Sequence, residues 1–382
     1  MKFIHTADLH IGKFVNEFSM LKDQEYILNQ MIDIIEEEQA DGLIIAGDIY
    51  DRSIPPAEAV SVLDNFLSRL VDKGIRIFMI SGNHDSPERI GFAKSIVEEK
   101  GLYIAGTYDG NARSITLQDK YGNLNIHLLP FVKPAVVKYY LQEDKIEDYH
   151  HSVEAMIKKF DIVENERNIL LTHYFITSGA TIPEISDSES VISVGGVDNV
   201  DASVFEGYDY VALGHIHRPQ IIGGSHIRYA GSPIKYSFSE VHHKKSVTVI
   251  ELKEKGKVDI RTRELTPIHN MRKIKGNLKE LMSEDIIKEA DVNDYIQATL
   301  TDADEIMDPI GTLRSVYPNT MQVIIEKNIK NNENVVAFEK IKNRSTIDIY
   351  EEFYQSVTGQ EFDEKRYEVM KEIIEEASGE EV

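Results

Sequence analysis

Five short clusters of Asp, His and Asn follow apolar runs along this chain. In the segment VALGHIHRP, His215 and His217 stand one residue apart directly after such a run, although the sequence has only 13 histidines in 382 residues. A lone histidine at such a place is more often structural, but five clusters in this pattern indicate a site. Imidazole and carboxylate together bind borderline divalent ions such as Mn, Fe or Zn. The predicted metal ligands are Asp8, His10, Asp48, Asn83, His173, His215 and His217.

This ligand set favours two metal ions. A carboxylate has two oxygens, so one Asp can bridge two ions about 3.5–4 Å apart. Asp48, which lies between the other clusters in the sequence, is the candidate bridge. Two divalent ions with the carboxylates of Asp8 and Asp48 leave a net charge of about +2, which suits a hydroxide and a phosphodiester. The expected reaction is in-line attack of hydroxide on phosphorus.

His84 and Asp85 complete the predicted chemistry. Because His84 directly follows the ligand Asn83, it is the natural general acid for the leaving alkoxide. Asp85 is expected to orient the imidazole of His84 and to favour its protonated form. Both residues are therefore candidate catalytic residues.

The elements that must position these residues are strands, each ending at a cluster. Residues 21–38 and 57–72 have the apolar spacing of helices, and this alternation predicts an α/β domain with a largely parallel sheet. The later half is richer in hairpins, so two sheets between helices would accommodate both halves. Ligands of such sheets gather at the carboxyl ends of the strands. The strands are predicted in KFIHTADLH, GLIIAGDIYD, RIFMISGNHD, NILLTHYF and YDYVALGHIH.

The spacing of the ligands within a cluster also carries a prediction. Asp8 and His10 are two residues apart, so at a strand end both side chains can point to the same side. The same geometry lets His215 and His217 enter one site.

The character of the sequence changes near residue 266. Residues 270–327 suggest a small β-α-β unit, with MRKIKG as a strand, LKELMSEDIIKEA as a helix and DYIQATLTD as a second strand. A polar segment at 328–336 precedes two further predicted helices. The first carries an apolar stripe formed by Ile349, Tyr350, Phe353, Tyr354 and Val357; the second starts near Asp363.

Composition limits the class of protein. No apolar run approaches the roughly 18 residues of a membrane span. The sequence has no cysteine, and a cytoplasmic enzyme fits both features. The net charge of −23 argues against a chain that wraps nucleic acid by itself, since phosphate contacts need clustered Lys and Arg. It leaves room for a nuclease with a local basic surface or with a partner that grips DNA.

The motifs DLH at 8–10, GD at 47–48, GNHD at 82–85, His173 and GHIH at 214–217 resemble the calcineurin-like metallophosphoesterase pattern. More narrowly, the chain resembles the SbcD-type nuclease subunits of bacterial DNA-repair complexes over essentially its whole length. The block SVGGVDNVDASVFEGYDYVALGHIHRPQ is the most specific part of that resemblance.

The resemblance implies a four-layer α-β-β-α metallophosphoesterase sandwich with a small β-α-β capping domain and C-terminal helices. The implied domains are a nuclease domain at 1–265, a capping domain at 266–335 and a helical hairpin at 336–382. The hairpin would dock on an SbcC-type coiled-coil ATPase, the capping domain would border a DNA groove, and the nuclease domains would form a homodimer through helices near 57–72 and 87–99.

The resemblance also implies an ion assignment and an activity. Asp8, His10, Asp48 and His217 would hold one Mn²⁺, and Asp48, Asn83, His173 and His215 would hold the other. The implied activity is a Mn²⁺-dependent DNA exonuclease on duplexes and endonuclease on hairpins and single strands. Relatives outside bacteria carry a histidine where this chain has Asp51, so no role of that histidine is carried over.

Two other functions remain as alternatives. A phosphatase or small phosphodiesterase would need the same ions, but it has no need of the extension at 266–382. An assembly subunit with a dead site is disfavoured because the ligand set is complete. Contacts with DNA phosphates are left open for five cations that lie near the clusters, namely Lys13, Arg52, Arg89, Arg218 and Lys235.

Overall fold

A computed structural model describes residues 1–189, 199–302, 306–326, 347, 350–351, 354–355 and 362–378. The chain forms two compact units, Met1–Glu326 and Lys327–Val382. Within the described ranges, no helix is long and apolar enough to cross a membrane.

The strands of the three main sheets are numbered in chain order. They are β1 (Lys2–Thr6), β2 (Gly42–Ala46), β3 (Arg76–Ile80), β4 (Leu102–Ala105), β5 (Arg113–Asp119), β6 (Gly122–Leu128), β7 (Arg167–His173), β8 (Tyr210–Gly214), β9 (Gln220–Ile222), β10 (Gly224–Tyr229), β11 (Ser246–Leu252), β12 (Val258–Glu264), β13 (Met271–Gly276), β14 (Tyr295–Leu300) and β15 (Thr320–Ile325). Short two-residue strands lie at Phe14–Val15, Phe18–Ser19, Ile176–Thr177 and Val200–Asp201.

The α-helices are numbered in the same way. They are α1 (Leu21–Glu37), α2 (Ala57–Asp72), α3 (Pro87–Ile90), α4 (Lys94–Glu98), α5 (Pro134–Leu141), α6 (Tyr149–Ile157), α7 (Leu278–Leu281), α8 (Glu284–Ile287), α9 (Pro309–Arg314) and α10 (Glu364–Ser378). Single 3₁₀ turns cover Ala202–Phe205 and Phe238–Glu240.

Two six-stranded sheets form the body of the first unit. The first has the order β12-β11-β1-β2-β3-β4, and β1 to β4 run parallel. The second has the order β9-β10-β8-β7-β6-β5, and β6, β7, β8 and β10 run parallel. The predicted hairpin around DKYGN is confirmed as the antiparallel pair β5–β6.

Alternation along the strands sends side chains to opposite faces of each sheet. In β1, Phe3 packs into the core between the two sheets, where it meets the cluster that contains Ile169 of β7. The next residue, Ile4, joins the cluster that α1 and α2 cover. On the far side of the second sheet, Leu170 packs in the cluster that contains α5 and α6. The predicted four-layer α-β-β-α sandwich is therefore confirmed.

The segment after residue 266 forms a parallel three-stranded sheet, β13-β14-β15, with a hydrophobic cluster of its own. The single helix predicted over LKELMSEDIIKEA is wrong in one respect, because two short helices, α7 and α8, stand in its place. Ser283 between them adopts the extended backbone of a helix N-cap and starts a second helix.

Most of the stripe predicted in the first C-terminal helix falls outside the described residues; of its five members, only Tyr350 and Tyr354 are described. The rings of both tyrosines contact Phe362. The second predicted helix is confirmed as α10, which begins one residue after Asp363.

Candidate metal centre

All seven predicted ligands lie at the carboxyl-terminal ends of five parallel strands. The segments that carry them follow β1, β2, β3, β7 and β8, which contribute from both sheets of the sandwich. All of the ligands except Asn83 are buried, and Asn83 is half-buried. The structure thus brings the whole predicted set to one edge of the sandwich.

The backbone at the site differs from the strand geometry expected for the paired ligands. Strand β1 already ends at Thr6, and Asp8 and His10 have φ of +54° and +43°. Asp48 and His215 also have positive φ, at +49° and +99°. The explanation by strand alternation is therefore wrong, since left-handed turns aim these side chains inward. Such backbone strain is concentrated at functional sites.

Glycines beside the ligands allow the loops to approach each other closely. A Cβ on Gly82 would lie 2.2 Å from Asp48 Oδ1, and one on Gly47 would lie 2.3 Å from His173 Nδ1. Gly47 also has φ of +89°, a conformation that side chains disfavour. A larger residue would not fit beside the ligands, so the GD and GNHD motifs need glycine at these two positions.

The first group of ligand atoms surrounds His10. Its Nε2 lies 3.1 Å from His217 Nε2 and 3.6 Å from Asp48 Oδ2. Asp8, His10 and His217 offer ligand atoms that all lie within 4.8 Å of one another. Two nitrogens about 2.1 Å from one ion and at right angles are about 3 Å apart, which matches the imidazole pair.

The second group surrounds Asn83. Its Oδ1 lies 3.1 Å from His173 Nε2 and 3.0 Å from His215 Nδ1. His173 Nε2 is in turn 3.4 Å from Asp48 Oδ2. The same oxygen of Asp48 therefore faces both groups, as a bridging carboxylate would.

The chemistry of these donors fits divalent ions. Asp8 Oδ2 is buried and has no hydrogen-bond partner among the described residues, although buried polar atoms are normally satisfied. Burial is the main reason that the pKa of Asp8 is raised to about 7, so a cation beside this carboxylate would stabilise its charged form. Burial also lowers the pKa of His215 to about 3, and thus favours the neutral imidazole that binds metals.

The surroundings of His84 and Asp85 correct one prediction. The carboxylate of Asp85 does not orient His84; it accepts hydrogen bonds from the backbone N–H of Ile49, Tyr50 and Gly82, at 2.9–3.1 Å. It therefore braces the two loops that carry Asp48 and Asn83. The misassignment arose because adjacency in sequence says nothing about which group a side chain faces.

His84 is oriented by a backbone carbonyl. Its Nδ1 lies 2.9 Å from the carbonyl oxygen of Asp51, which can only accept, so Nδ1 carries a hydrogen and Nε2 is the nitrogen that can exchange a proton. Its backbone N–H donates to Asp48 Oδ1 at 2.9 Å. The side chain is half-buried, so solvent reaches it.

The loop after β1 is braced by residues that no sequence motif marked. Gln24 of α1 is buried, donates to the carbonyl oxygen of His10 at 2.7 Å and accepts from the N–H of Gly12 at 2.9 Å. The ring of Tyr236 stands edge-on to His10 and His217. A polar residue on the buried stripe of α1, in register with Ile27, was the available signal for Gln24.

A buried network behind His217 was also missed. The Nδ1 of His217 lies 2.6 Å from Ser188 Oγ, which donates to Glu240. Glu240 pairs with the buried Lys245, whose Nζ also donates to the carbonyl oxygen of His217 at 2.8 Å. Hydrogen bonds of this kind fix the tautomer and orientation of metal-binding histidines. No feature of spacing marked these residues, because Ser188 lies in a different connecting segment from Glu240 and Lys245.

The five cationic residues for which contact with DNA phosphates was left open are of two kinds. Lys13 pairs with Asp51 at 2.6 Å, Lys235 donates to Asn270 at 2.9 Å, and Arg218 pairs with Glu184. The side chain of Arg52 is 60% exposed and 3.9 Å from Asp51, and Arg89 is exposed on α3. Arg52 and Arg89 are therefore the better placed of the five to meet a phosphate.

Comparison with known sequences identifies the family. The profile of the calcineurin-like phosphoesterases matches residues 1–219, which include all seven predicted ligands. The chain belongs to this family. A second profile, SbcD_C, described as the type 5 capsule protein repressor C-terminal domain, matches residues 267–358. As a calcineurin-like phosphoesterase, the protein is an enzyme that depends on divalent metal.

The calcineurin-like phosphoesterases similar to this chain include one full-length relative. The SbcD subunit of the SbcCD nuclease from Staphylococcus epidermidis is 34% identical over 377 residues, which are 98% of each chain. Our chain therefore belongs to the SbcD group of the family. Among solved structures, a dimetal phosphatase from Danio rerio is 10% identical with a TM-score of 0.40, and covers 69% of this chain and 96% of its own. A phosphoesterase from E. coli is 14% identical with a TM-score of 0.27, at 66% and 88% coverage.

Proposed function

We propose that the protein is a Mn²⁺-dependent DNA nuclease of the cytoplasm that works with an SbcC-type coiled-coil ATPase in DNA repair. It would act as an exonuclease on double-stranded DNA and as an endonuclease on hairpins and single strands. The observation that carries this proposal is the convergence of the six other candidate ligands around Asp48. The staphylococcal relative, whose name makes it part of a nuclease, spans both the phosphoesterase segment and the extension after it.

Each ligand group would hold one ion. Asp8, His10 and His217 would hold the first, Asn83, His173 and His215 the second, and Asp48 would bridge the two. A pair of divalent ions supplies Lewis acidity to the phosphate and a nucleophile at neutral pH. Carboxylate, amide oxygen and imidazole together suit Mn²⁺.

His84 would protonate the leaving oxygen. Its Nδ1–H bond to the carbonyl of Asp51 fixes the ring, and the proton would pass from Nε2 to the 3′ or 5′ oxygen of the cleaved strand. Asp85 would hold the loops on either side at a fixed distance through its three amide contacts. In this proposal Asp85 is a positioning residue and has no contact with the reacting atoms.

We propose three domains with boundaries at 1–265, 266–335 and 336–382. The capping domain is supported by the separate hydrophobic cluster around Leu281, Ile296 and Leu313. The last segment would dock on the ATPase. Its helix α10 leaves Val369 and Ile373 about half exposed, and apolar surface of this kind is typical of interfaces.

We also propose a homodimer. Phe92 and Ile96, before and within α4, are 82% and 73% exposed, and α2 leaves Val60 44% exposed. Burying such side chains against a second copy would remove this apolar surface from water. Light scattering should report a dimer for the wild type and a monomer for Phe92→Glu. A dimer of Phe92→Glu at the same concentration would exclude this face.

A hairpin cleavage assay tests the proposed activity. The wild type should cleave an end-labelled DNA hairpin in Mn²⁺, faster when the ATPase and ATP are added, and should hydrolyse a phosphomonoester poorly. Asp48→Asn is the matched inactive control, because it removes the charge that both ion groups share. Rapid phosphomonoester hydrolysis without DNA cleavage would replace the nuclease with the phosphatase alternative.

A further inference from the structure

A cavity of about 390 Å³ opens directly beside the second ligand group. Asn83 forms one wall of it, and Tyr108, Phe131, Lys133 and Tyr140 form much of the rest. Its volume falls in the range of about 300–1,000 Å³ that is usual for sites of small organic groups. Neither the metal centre nor the proposed proton transfer uses this space.

Aromatic rings of the cavity wall contact the candidate ligands. The ring of Phe131 stands edge-on to the imidazole of His173 at 6.5 Å and stacks on Tyr149 at 5.6 Å. Tyr140 is 45% exposed, and its ring is held edge-on by Tyr108 at 6.1 Å. The cavity therefore presents fixed aromatic surface a short distance from where the phosphate would be cut.

The wall contains a buried hydroxyl and charges of both signs. Tyr108 is only 8% exposed, and its hydroxyl is closed off from solvent and has no hydrogen-bond partner among the described residues. Lys133, which is exposed, brings a positive charge to the lining, and Asp85 and Glu88 bring carboxylates. Aromatic surface beside a cation matches a nucleotide better than an aliphatic ligand.

We infer that this cavity holds the nucleobase next to the phosphate being cut. The inference rests on the proposed nuclease function and adds a subsite to it. The base would stack on Tyr140 or Phe131, and Lys133 would meet a neighbouring phosphate. Stacking accepts every base, because each has a π face, so this subsite would act without sequence preference.

The test compares two variants on substrates with one cleavable linkage. One oligonucleotide carries all its bases, and a second lacks the bases on either side of that linkage. Tyr140→Ala should lower kcat/KM on the first by about 5- to 150-fold, the range for truncating a base-stacking aromatic residue. Tyr26→Ala is the matched control, since Tyr26 is 43% exposed and does not line the cavity.

The loss of the wild type on the abasic substrate should be similar to the loss of Tyr140→Ala on the complete one. Tyr140→Ala should lose no further activity on the abasic substrate, because removing the base and removing the ring abolish the same contact. An independent readout is the quenching of 2-aminopurine placed beside the linkage, which should weaken in Tyr140→Ala but not in Tyr26→Ala. Equal losses for Tyr140→Ala on the two substrates, or unchanged kinetics and quenching in this variant, would overturn the subsite alone. A wild type that cleaves neither oligonucleotide would overturn the nuclease function and the subsite with it.

Discussion

Replacement of His84 by alanine separates proton transfer from metal binding. Among the contacts of the imidazole are a hydrogen bond of 2.9 Å to the carbonyl oxygen of Asp51 and an edge contact with the ring of His10 at 4.8 Å. The backbone N–H of residue 84 bonds Asp48 whatever the side chain is. The three amide contacts of Asp85 also remain. His84→Ala should therefore leave the ligands in place.

The two expected costs differ in size. Losing the hydrogen bond to Asp51 at this half-buried position lowers the free energy of unfolding by about 1 kcal/mol. Losing a general acid typically slows the chemical step about 10²- to 10⁴-fold, which is about 3–5 kcal/mol in the barrier. His84→Ala should accordingly stay folded, bind Mn²⁺ with the wild-type stoichiometry, and cleave DNA at least about 100-fold more slowly.

Comparison of two leaving groups gives the decisive assay. The alkoxide released from DNA needs a proton, whereas p-nitrophenolate is a weak base that leaves without one. The loss in kcat should therefore be large on a DNA hairpin and small on bis(p-nitrophenyl) phosphate, with Mn²⁺ binding followed by calorimetry. Equal losses on both substrates, or hairpin cleavage at nearly the wild-type rate, would refute the role assigned to His84.

Three further predictions concern other parts of the chain. Ser188→Ala should weaken Mn²⁺ binding about 10- to 100-fold in calorimetry, because it removes the partner of His217 Nδ1, and Ser188→Thr should restore it; unchanged affinity would contradict this. Hydrogen bonds from Arg261 are the main reason that the pKa of Glu38 is lowered from 4.5 to about 2, so this carboxylate stabilises the fold fully above pH 4.5 and loses the effect as pH falls towards 2. Glu38→Gln should thus lower the free energy of unfolding by about 1–2 kcal/mol at pH 7, a range that allows for the exposure of the arginine. Chemical denaturation at several pH values should show this difference shrinking in acid, and a difference independent of pH would contradict the assigned ion pair. Deletion of 340–382 should leave hydrolysis of the small diester intact and abolish the response to ATP with the partner present, whereas an unchanged response would exclude docking through this segment.

Much of the fold could be predicted because local and global signals agree. The helix predicted at 57–72 has these bounds in the structure, and each strand predicted before a cluster is present. The end of α7 could not be predicted, because the apolar spacing of 278–290 continues across Ser283, and only the backbone there reveals a new N-cap. Periodicity reports which face is buried, but it does not report where a helix is interrupted.

The candidate site shows the same division. Residue types at strand ends were enough to select the seven side chains that the structure brings together. Strand alternation did not predict the backbone that brings these side chains together, since Asp8 and His10 turn inward through a left-handed conformation. The role of Asp85 and the network of Glu240 depend on contacts between loops that are distant in the sequence. Spacing along the chain carries no information about such contacts.

The most direct test of the central claim is an anomalous difference map from crystals soaked in Mn²⁺. Two manganese peaks should appear about 3.5–4 Å apart, with Asp48 between them. His10 and His217 should lie beside one peak, and His173 and His215 beside the other. A single peak, or a pair of peaks that Asp48 does not touch, would contradict the two-metal centre on which the proposed nuclease rests.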